Sequence, residues 1–262
     1  MKVVILCGGQ STRIRDVAED LPKPMIPIGG RPILWHIMKY YAQSGFNEFV
    51  LCLGYKGQVI RDFFLNYEAH TKDFTLTLGA REKAIHFHSD HAESGWKITF
   101  AETGLQAMTG ARVYRIRKYL ENEPHFFLTY GDGVGNVDLK RLLAFHQEQG
   151  KIMTVSAVRP PGRYGELMGD SSHRVTEFNE KPQATGGRIS GGFFVCRSEI
   201  FEYLSNSDDL VLEESPMRQL VQDGQMMMFD HDGFWQPMDT YRDYLLLSRL
   251  WEQGKAPWAV WT

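Results

Sequence analysis

The chain has 262 residues, of which 43% are hydrophobic and 23% charged, and its formal net charge is −3. This size allows one large domain with an ample core, and the near-neutral charge argues against a broad nucleic-acid-binding surface, which needs a basic excess. No run approaches the roughly 18 apolar residues of a membrane span, and the N-terminus lacks a signal-peptide pattern. We therefore expect a single domain over residues 1–262, with no membrane and no nucleic-acid partner.

The cysteines are few and scattered. Cys7, Cys52 and Cys196 lie far apart, each in or beside an apolar run, and no pair has the close spacing of a zinc site or a redox motif. An odd, sparse set of this kind is typical of reduced, buried thiols, so we expect a cytoplasmic protein.

Strand and helix patterns alternate through the first part of the chain. Apolar runs that predict buried strands are KVVILC, EFVLCLG, HFFLTYGDG and KIMTVSAV. Helical spacing of apolar residues appears in PILWHIMKYYAQSG, GQVIRDFFLNY and DLKRLLAFHQEQG, the last with Asp138 as its N-cap and Gly150 after its end. This order predicts an α/β fold with a doubly wound, mostly parallel, Rossmann-like sheet.

Other regions depart from this alternation. Residues 71–100 contain short strand patterns and predict a small β insertion or edge region. After residue 158, HRVTEFNEKP and RISGGFFVC predict strands around a pocket. The segment TYRDYLLLSRLWEQG predicts a C-terminal helix, and the apolar tail over residues 255–262 is expected to pack on the domain or on a neighbouring subunit.

The stretch CGGQSTR, directly after the first strand, has the features of a phosphate-binding loop. Glycines let backbone N–H groups approach phosphate oxygens, and Arg13 and the later Lys23 would add positive charge. The patterns GxxxxGK[ST] and GxGxxG are both absent, which disfavours kinases, GTPases and classical dehydrogenases. The alternative is an ordinary strand-to-helix turn with two surface cations.

Two acidic residues stand out. Asp132 lies in YGDG, at the end of a predicted strand, and Asp239 lies in FWQPMDT, just before a predicted helix. Since ligands bind at the carboxyl ends of parallel strands, Asp132 and the first loop are expected to face one crevice, where a carboxylate can hold Mg²⁺. The alternatives are a turn aspartate for Asp132 and a helix N-cap for Asp239. Glu180 and Lys181 in FNEKP supply a further pair of charges, for which the alternative is an exposed ion pair at a turn.

Two further clusters favour structural roles. HFHSDH contains His86, His88, Asp90 and His91, and alternating histidines on a short strand are typical of a solvated face rather than a metal site. The three methionines of QMMMFD predict a core or edge strand.

Motifs from one end of the chain to the other carry a family resemblance. In order they are GGQSTR with KPM, RPILWHIM, GYKG, MTGAR, TYGDGV, PPGRYGEL, FNEKP, GGFFV and FWQPMDT. The set resembles the sugar-1-phosphate nucleotidyltransferases, most closely the cytidylyltransferase branch that makes CDP-glucose for deoxysugar pathways. The resemblance implies Mg²⁺-dependent transfer of CMP from CTP to a sugar 1-phosphate, release of pyrophosphate, and a homo-oligomer.

The resemblance also implies site residues. For the nucleotide these are Leu6, Gly8, Gly9, Ser11, Thr12, Arg13, Glu102 and Gly110. For the sugar phosphate they are Tyr164, Gly165, Glu166, Glu180, Lys181 and Ser190. Asp132 and Asp239 would hold Mg²⁺, and the residues of the chemistry would be Arg13, Lys23, Asp132 and Lys181. Arg13 would stabilise the pyrophosphate, Lys23 would contact phosphates, and Lys181 would bind the sugar phosphate. No general base is needed, because a phosphate oxygen is already an anion and the reaction requires alignment and charge neutralisation.

Some positions leave alternatives open. Glu102 can accept a hydrogen bond from the cytosine N4 amine, which favours CTP over UTP or dTTP. Ser11 stands where the family usually has glycine, and Glu166 and Ser190 stand where it commonly has a small residue and an asparagine. A different or modified hexose 1-phosphate therefore remains an alternative to glucose 1-phosphate. A non-catalytic nucleotide-sugar binding protein is a further alternative, which the retained carboxylates disfavour.

Overall fold

A computed structural model describes residues 1–9, 20–79, 84–90, 92–160, 166–169, 171, 174–179 and 187–261. Several residues singled out above lie outside the described residues: Ser11, Thr12, Arg13, His91, Tyr164, Gly165, Glu180 and Lys181. For Glu166 the structure describes the backbone, in a strand.

The described strands are β1 (Val3–Leu6), β2 (Pro27–Ile28), β3 (Arg31–Pro32), β4 (Glu48–Leu53), β5 (Phe74–Thr77), β6 (Ala84–Phe87), β7 (Lys97–Glu102), β8 (His125–Tyr130), β9 (Gly133–Gly135), β10 (Met153–Val158), β11 (Glu166–Gly169), β12 (Val175–Asn179), β13 (Ile189–Arg197), β14 (Met226–His231) and β15 (Trp235–Pro237). The α-helices are α1 (Ile33–Gln43), α2 (Gly57–Leu65), α3 (Tyr67–Thr71), α4 (Thr109–Arg115), α5 (Leu139–Gln149), α6 (Ser215–Gln222) and α7 (Tyr241–Glu252). Short 3-10 turns lie at Lys23–Met25, Arg117–Tyr119 and Ser198–Tyr203.

A seven-stranded sheet in the order β14-β10-β13-β8-β1-β4-β7 forms the centre of the domain. Its neighbouring strands are parallel except on either side of β13, which runs antiparallel to β8 and β10. The strands β1, β4 and β8 are apolar runs because a parallel sheet is covered by helices on both faces. The predicted mostly parallel, doubly wound sheet is confirmed.

Successive residues of β1 belong to two separate cores. Val3 and Ile5 pack in a cluster that includes residues of α1, α5 and α7. Val4 and Leu6 pack in a second cluster that includes residues of α4 and α6. The period of two along a strand therefore divides the hydrophobic residues between the two faces of the sheet.

The ends of α5 follow the predicted capping residues. The Asp138 carboxylate accepts a hydrogen bond from the backbone N–H of Arg141 at 3.0 Å. Gly150 ends the helix in the left-handed conformation, with φ +63°, where a residue with a Cβ would be strained. Both sequence predictions are confirmed.

The predicted β region over residues 71–100 divides into two parts. The strands β5 and β6 form a separate exposed hairpin, whereas β7 is an edge strand of the central sheet, parallel to β4. His86 and His88 lie on this hairpin, and His88 contacts the hydroxyl of Thr75. Within the described ranges, no group of three or more histidine, cysteine or acidic residues is placed to hold a metal. The methionine-rich segment is β14, the opposite edge strand.

The apolar tail packs on its own domain. Trp258 is completely buried, its ring stacks on Phe234 at 5.6 Å, and its indole N–H donates to Nδ1 of His36 at 3.3 Å. Trp261 contacts the ring of Trp35 at 5.7 Å. Of the two expectations for the tail, packing within the chain is therefore the one that the structure shows.

All three cysteines are buried free thiols. Among the helices of the described residues, none combines the length and the apolar character needed to cross a bilayer.

Candidate active site

Two adjoining cavities open at the carboxyl ends of β1 and β8, which are adjacent parallel strands near the centre of the sheet. The larger has a volume of about 480 Å³ and is lined by Leu6, Cys7, Gly8, Gly9, Lys23, Pro24, Leu105, Gln106, Ala107, Met108, Thr109, Arg112, Tyr130, Gly131 and Asp132. The smaller has a volume of about 230 Å³ and is lined by Thr129, Tyr130, Asp132, Gly133, Ser190, Gly191, Gly192, Trp235, Pro237 and Asp239. Tyr130 and Asp132 line both, so the two cavities meet at these residues.

At this junction the ammonium of Lys23 lies between two carboxylates. Its Nζ donates to Oδ2 of Asp132 at 2.6 Å and to Oδ1 of Asp239 at 2.5 Å. The Lys23 side chain is 11% exposed, whereas those of Asp132 and Asp239 are 32% and 36% exposed. Burial alone would lower the pKa of Lys23, but the two carboxylates outweigh it and hold that pKa above its ordinary value. Lys23 is therefore a charged part of the site and not a free surface cation.

Short local structures bring these distant residues together. Lys23 opens the 3-10 turn that follows Pro22. The two-stranded ladder of β9 and β15 pairs Gly133 with Pro237, and the N–H of Met238 donates to the Asp132 carbonyl at 2.8 Å. This ladder places the turn after β8 beside the segment that precedes α7.

The N-cap of α7 is Thr240 rather than Asp239. Thr240 and Asp243 form a capping box, in which each side chain bonds the backbone N–H of the other. The carboxylate of Asp239 is therefore not used as a helix cap, and the N-cap alternative for it is wrong.

The paired carboxylates fit a divalent cation. Oxygens of Asp132 and Asp239 converge on one point, now taken by the Lys23 ammonium, and both groups are partly open to the cavities. Carboxylate oxygens are the preferred ligands of Mg²⁺, which keeps part of its coordination for water and phosphate. These two residues could hold such an ion beside a bound phosphate.

Arg112 is a buried arginine that fixes the wall of the larger cavity. Its guanidinium donates to the carbonyls of Leu53 and Gly8, each at 3.0 Å, and to the hydroxyl of Thr103 at 2.8 Å. A Cβ on Gly8 would lie 2.1 Å from its Nη1. A side chain at position 8 would therefore displace the guanidinium from these three acceptors.

Tyr130 is held by an acidic residue from a distant segment. Its hydroxyl donates to Oε1 of Glu213, and the hydroxyl of Thr109 donates to Oε2 of the same carboxylate at 2.6 Å. Burial, and after it the Glu213 carboxylate, raise the pKa of the Tyr130 phenol far above its ordinary value. The phenol therefore remains a hydrogen-bond donor.

The other predicted residues occupy different places. Leu6, Gly8 and Gly9 line the larger cavity, and Ser190 lines the smaller one. Gly110 is buried in α4 against Leu210.

Glu102 ends β7 with an exposed side chain and pairs with Arg61 of α2 at 2.9 Å. It is not among the residues that line either cavity in the described part of the chain.

Among the polar residues that line the larger cavity, the sequence did not single out Gln106, Thr109, Arg112 and Tyr130. The signal for the first three was their position in GLQAMTGAR, which directly follows a parallel strand and so must start at the ligand-binding edge. The signal for Tyr130 was its place at the carboxyl end of β8, next to Gly131 and Asp132.

Comparison with known proteins decides the family. A family model described as nucleotidyl transferase matches residues 2–253. The chain belongs to the nucleotidyl transferase family. It is 44% identical over 261 residues to a Salmonella typhi protein named glucose-1-phosphate cytidylyltransferase, and 41% identical to a Bacillus subtilis protein named probable glucose-1-phosphate cytidylyltransferase, with all of each chain covered.

Solved structures with lower sequence identity share the fold. A crystal structure of HddC from Yersinia pseudotuberculosis superposes with a TM-score of 0.70 at 23% identity, covering 95% of this chain and 99% of that one. A UDP-glucose pyrophosphorylase complexed with UDP-glucose gives a TM-score of 0.69 at 14% identity, covering 97% and 98%. At these identities the likeness establishes the fold, and it agrees with the mostly parallel sheet described above.

Proposed function

We propose that this protein transfers CMP from CTP to α-D-glucose 1-phosphate, forming CDP-glucose and pyrophosphate. The observation that carries the proposal is the pair of cavities that meet at Asp132, with Lys23 and Asp239 at the same junction. A transfer between two phosphates needs two substrate sites joined at one charged point. The full-length relatives at 44% and 41% identity support CTP and glucose 1-phosphate as the substrates.

Cavity sizes support one arrangement of the substrates. The larger cavity, beside Gly8 and Gly9, would take CTP, and its glycine backbone would approach the ribose and phosphates. The smaller cavity, beside Ser190 and Trp235, would take the sugar phosphate. The phosphates of both substrates would then meet beside Asp132.

In the proposed reaction an oxygen of the sugar phosphate attacks the α-phosphorus of CTP. The new P–O bond forms as the bond from the α-phosphorus to the bridging oxygen breaks, and that electron pair leaves on pyrophosphate. Lys23 places a positive charge beside the phosphates, and Asp132 and Asp239 would hold Mg²⁺. When bound there, Mg²⁺ would neutralise phosphate charge. Arg13 and Lys181 keep the roles that the resemblance implies, on the leaving pyrophosphate and the sugar phosphate.

Selection of the base involves residues beyond Glu102. Gln106 lines the larger cavity, and its side-chain amide offers both a hydrogen-bond donor and an acceptor to a base. Glu102 would have to leave Arg61 to reach the cytosine N4 amine. We therefore propose Gln106 as a base contact, with Glu102 retained as the alternative, and UTP or dTTP as alternative nucleotides.

The test is pyrophosphate release with Mg²⁺, glucose 1-phosphate and each of CTP, UTP, dTTP, GTP and ATP in turn. Turnover with CTP alone is the expected result, and turnover with another nucleotide alone would overturn the choice of base. Mannose 1-phosphate with CTP tests the sugar in the same assay.

Replacing Asp132 tests its assignment as a metal ligand. Asp132→Asn is expected to lower kcat by about 100-fold or more, because it removes a charged group at the reacting phosphates. The matched control is Asp138→Asn, which keeps a good N-cap on α5 away from the cavities. Near-normal turnover of the Asp132 variant would contradict the assignment.

We also propose a cytoplasmic homo-oligomer. The buried, unpaired thiols fit a reducing compartment. Sedimentation of the purified protein tests the assembly, since a monomer at all concentrations would contradict it.

A further inference from the structure

The carboxylate of Glu213 joins two walls of the site. One of its oxygens accepts from the Tyr130 hydroxyl and the other from the Thr109 hydroxyl. Tyr130 ends β8 and Thr109 begins α4, so the two donors come from different elements. Glu213 precedes α6 and is not itself among the lining residues of either cavity in the described chain.

Tyr130 forms the partition at which the cavities meet. It lines both of them and is separated from Asp132 by one residue. Its ring packs where a side chain at position 192 would otherwise lie, since a Cβ on Gly192, whose φ is +75°, would be 2.6 Å from the ring. The ring also contacts Phe194 edge-on at 5.9 Å. The hydroxyl at the end of this ring is held by Glu213.

The segment that contains Glu213 also supports the start of α4. The Thr109 hydroxyl accepts from the N–H of Leu212 at 2.9 Å, and the N–H groups of Gly110 and Ala111 donate to the Leu210 carbonyl at 2.9 and 3.2 Å. These contacts use helix N-terminal donors that would otherwise lack partners. Through these hydrogen bonds, Glu213 links Tyr130, at the junction of the cavities, to the start of α4, which lines the larger cavity.

We propose that Glu213 is a positioning residue, which holds Tyr130 at the junction so that the reacting phosphates of the two substrates align beside Asp132. This inference rests on the proposed function. A small displacement of the partition would misalign the reacting phosphates, and a misplacement of about 1 Å can lower the rate about 100-fold. Binding of CTP alone, before alignment with the sugar phosphate, would change little.

The experiment compares Glu213→Ala, Glu213→Gln, Tyr130→Phe and the double variant Glu213→Ala/Tyr130→Phe. The readouts are kcat at saturating CTP and glucose 1-phosphate, and the Kd of CTP by calorimetry without sugar phosphate. We expect Glu213→Ala to lower kcat by about 10- to 100-fold while the Kd changes less than about threefold. Glu213→Gln should recover part of kcat because its amide can still bond the phenol. The double variant should be no slower than the slower single variant.

The neighbouring Glu214 supplies a matched control. It is exposed and makes no side-chain cap to α6, so Glu214→Ala should retain wild-type kcat. The inference is overturned if Glu213→Ala retains wild-type kcat, if the two single losses multiply in the double variant, or if the Kd rises as much as kcat falls. If Glu213→Ala does not fold, Glu213→Gln and Tyr130→Phe give the same comparison.

Wild-type protein separates the two proposals. If it binds CTP but does not turn over glucose 1-phosphate, the substrate assignment fails. The variants are then compared on the sugar phosphate that the wild type accepts, and the same kcat ratios decide the role of Glu213.

Discussion

Replacing Lys23 by methionine should create a tighter metal site in the free protein. In the structure the Lys23 ammonium contacts both carboxylates that would hold Mg²⁺, so an ion entering this site must displace it. Methionine keeps the length of the side chain and removes the charge. Asp132 and Asp239 would then face each other without a neutralising group, and a divalent cation would relieve their repulsion.

The size of the effect follows from the contacts. A unit charge about 4 Å from another is worth about 4 kcal/mol at an effective dielectric constant of 20. The carboxylates are 32% and 36% exposed, and solvent screening reduces this value. If displacing the Lys23 ammonium costs a net free energy of about 2–3 kcal/mol, the affinity for Mg²⁺ differs roughly 30- to 150-fold between wild type and Lys23→Met.

The assay is calorimetric titration of Mg²⁺ into protein without nucleotide. Lys23→Met should bind Mg²⁺ at least about 30-fold more tightly than wild type, and adding Asp132→Asn should remove the gain. Lys39→Met is the matched control, because Lys39 is also buried and paired, with Glu93 at 2.8 Å, away from both cavities. Equal Mg²⁺ affinities of wild type and Lys23→Met would refute the idea that the Lys23 ammonium competes with the metal ion.

Two further predictions concern Gly8, which follows β1, and the pH dependence of folding stability. Gly8→Ala should raise the KM for CTP at least about 10-fold, because the new Cβ displaces the Arg112 guanidinium. Gly9→Ala, whose Cβ would meet no atom of the described residues within 4 Å, should show a smaller change, and equal effects would contradict this explanation. Burial lowers the pKa of His36 to about 4 from 6.5, so the unfolded chain binds a proton first as the pH falls. The contribution of His36 to stability should be complete above pH 6.5 and fall by about 3 kcal/mol between pH 6.5 and 4. In urea unfolding at several pH values, His36→Gln should reduce this loss, whereas His86→Gln, at an exposed position, should not.

Local sequence determined most of the secondary structure. Continuous apolar runs gave buried strands because both faces of a parallel sheet are covered, as at β1 and β8. The ends of α5 were predictable because Asp138 and Gly150 act on the nearest turn of backbone. The motif order also indicated the family, since each motif is contiguous in the chain.

Tertiary structure alone decided how the site is assembled. Lys23 lies between Asp132 and Asp239 because strand order and the β9–β15 ladder bring three distant segments together, and no local pattern encodes those distances. Glu102 has the chemistry of a base contact, yet its carboxylate pairs with Arg61, a partner fixed by the packing of α2 beside β7. Periodicity and capping act over a few residues and can be inferred from sequence, whereas the partner of a charged side chain depends on which elements the whole fold places beside it.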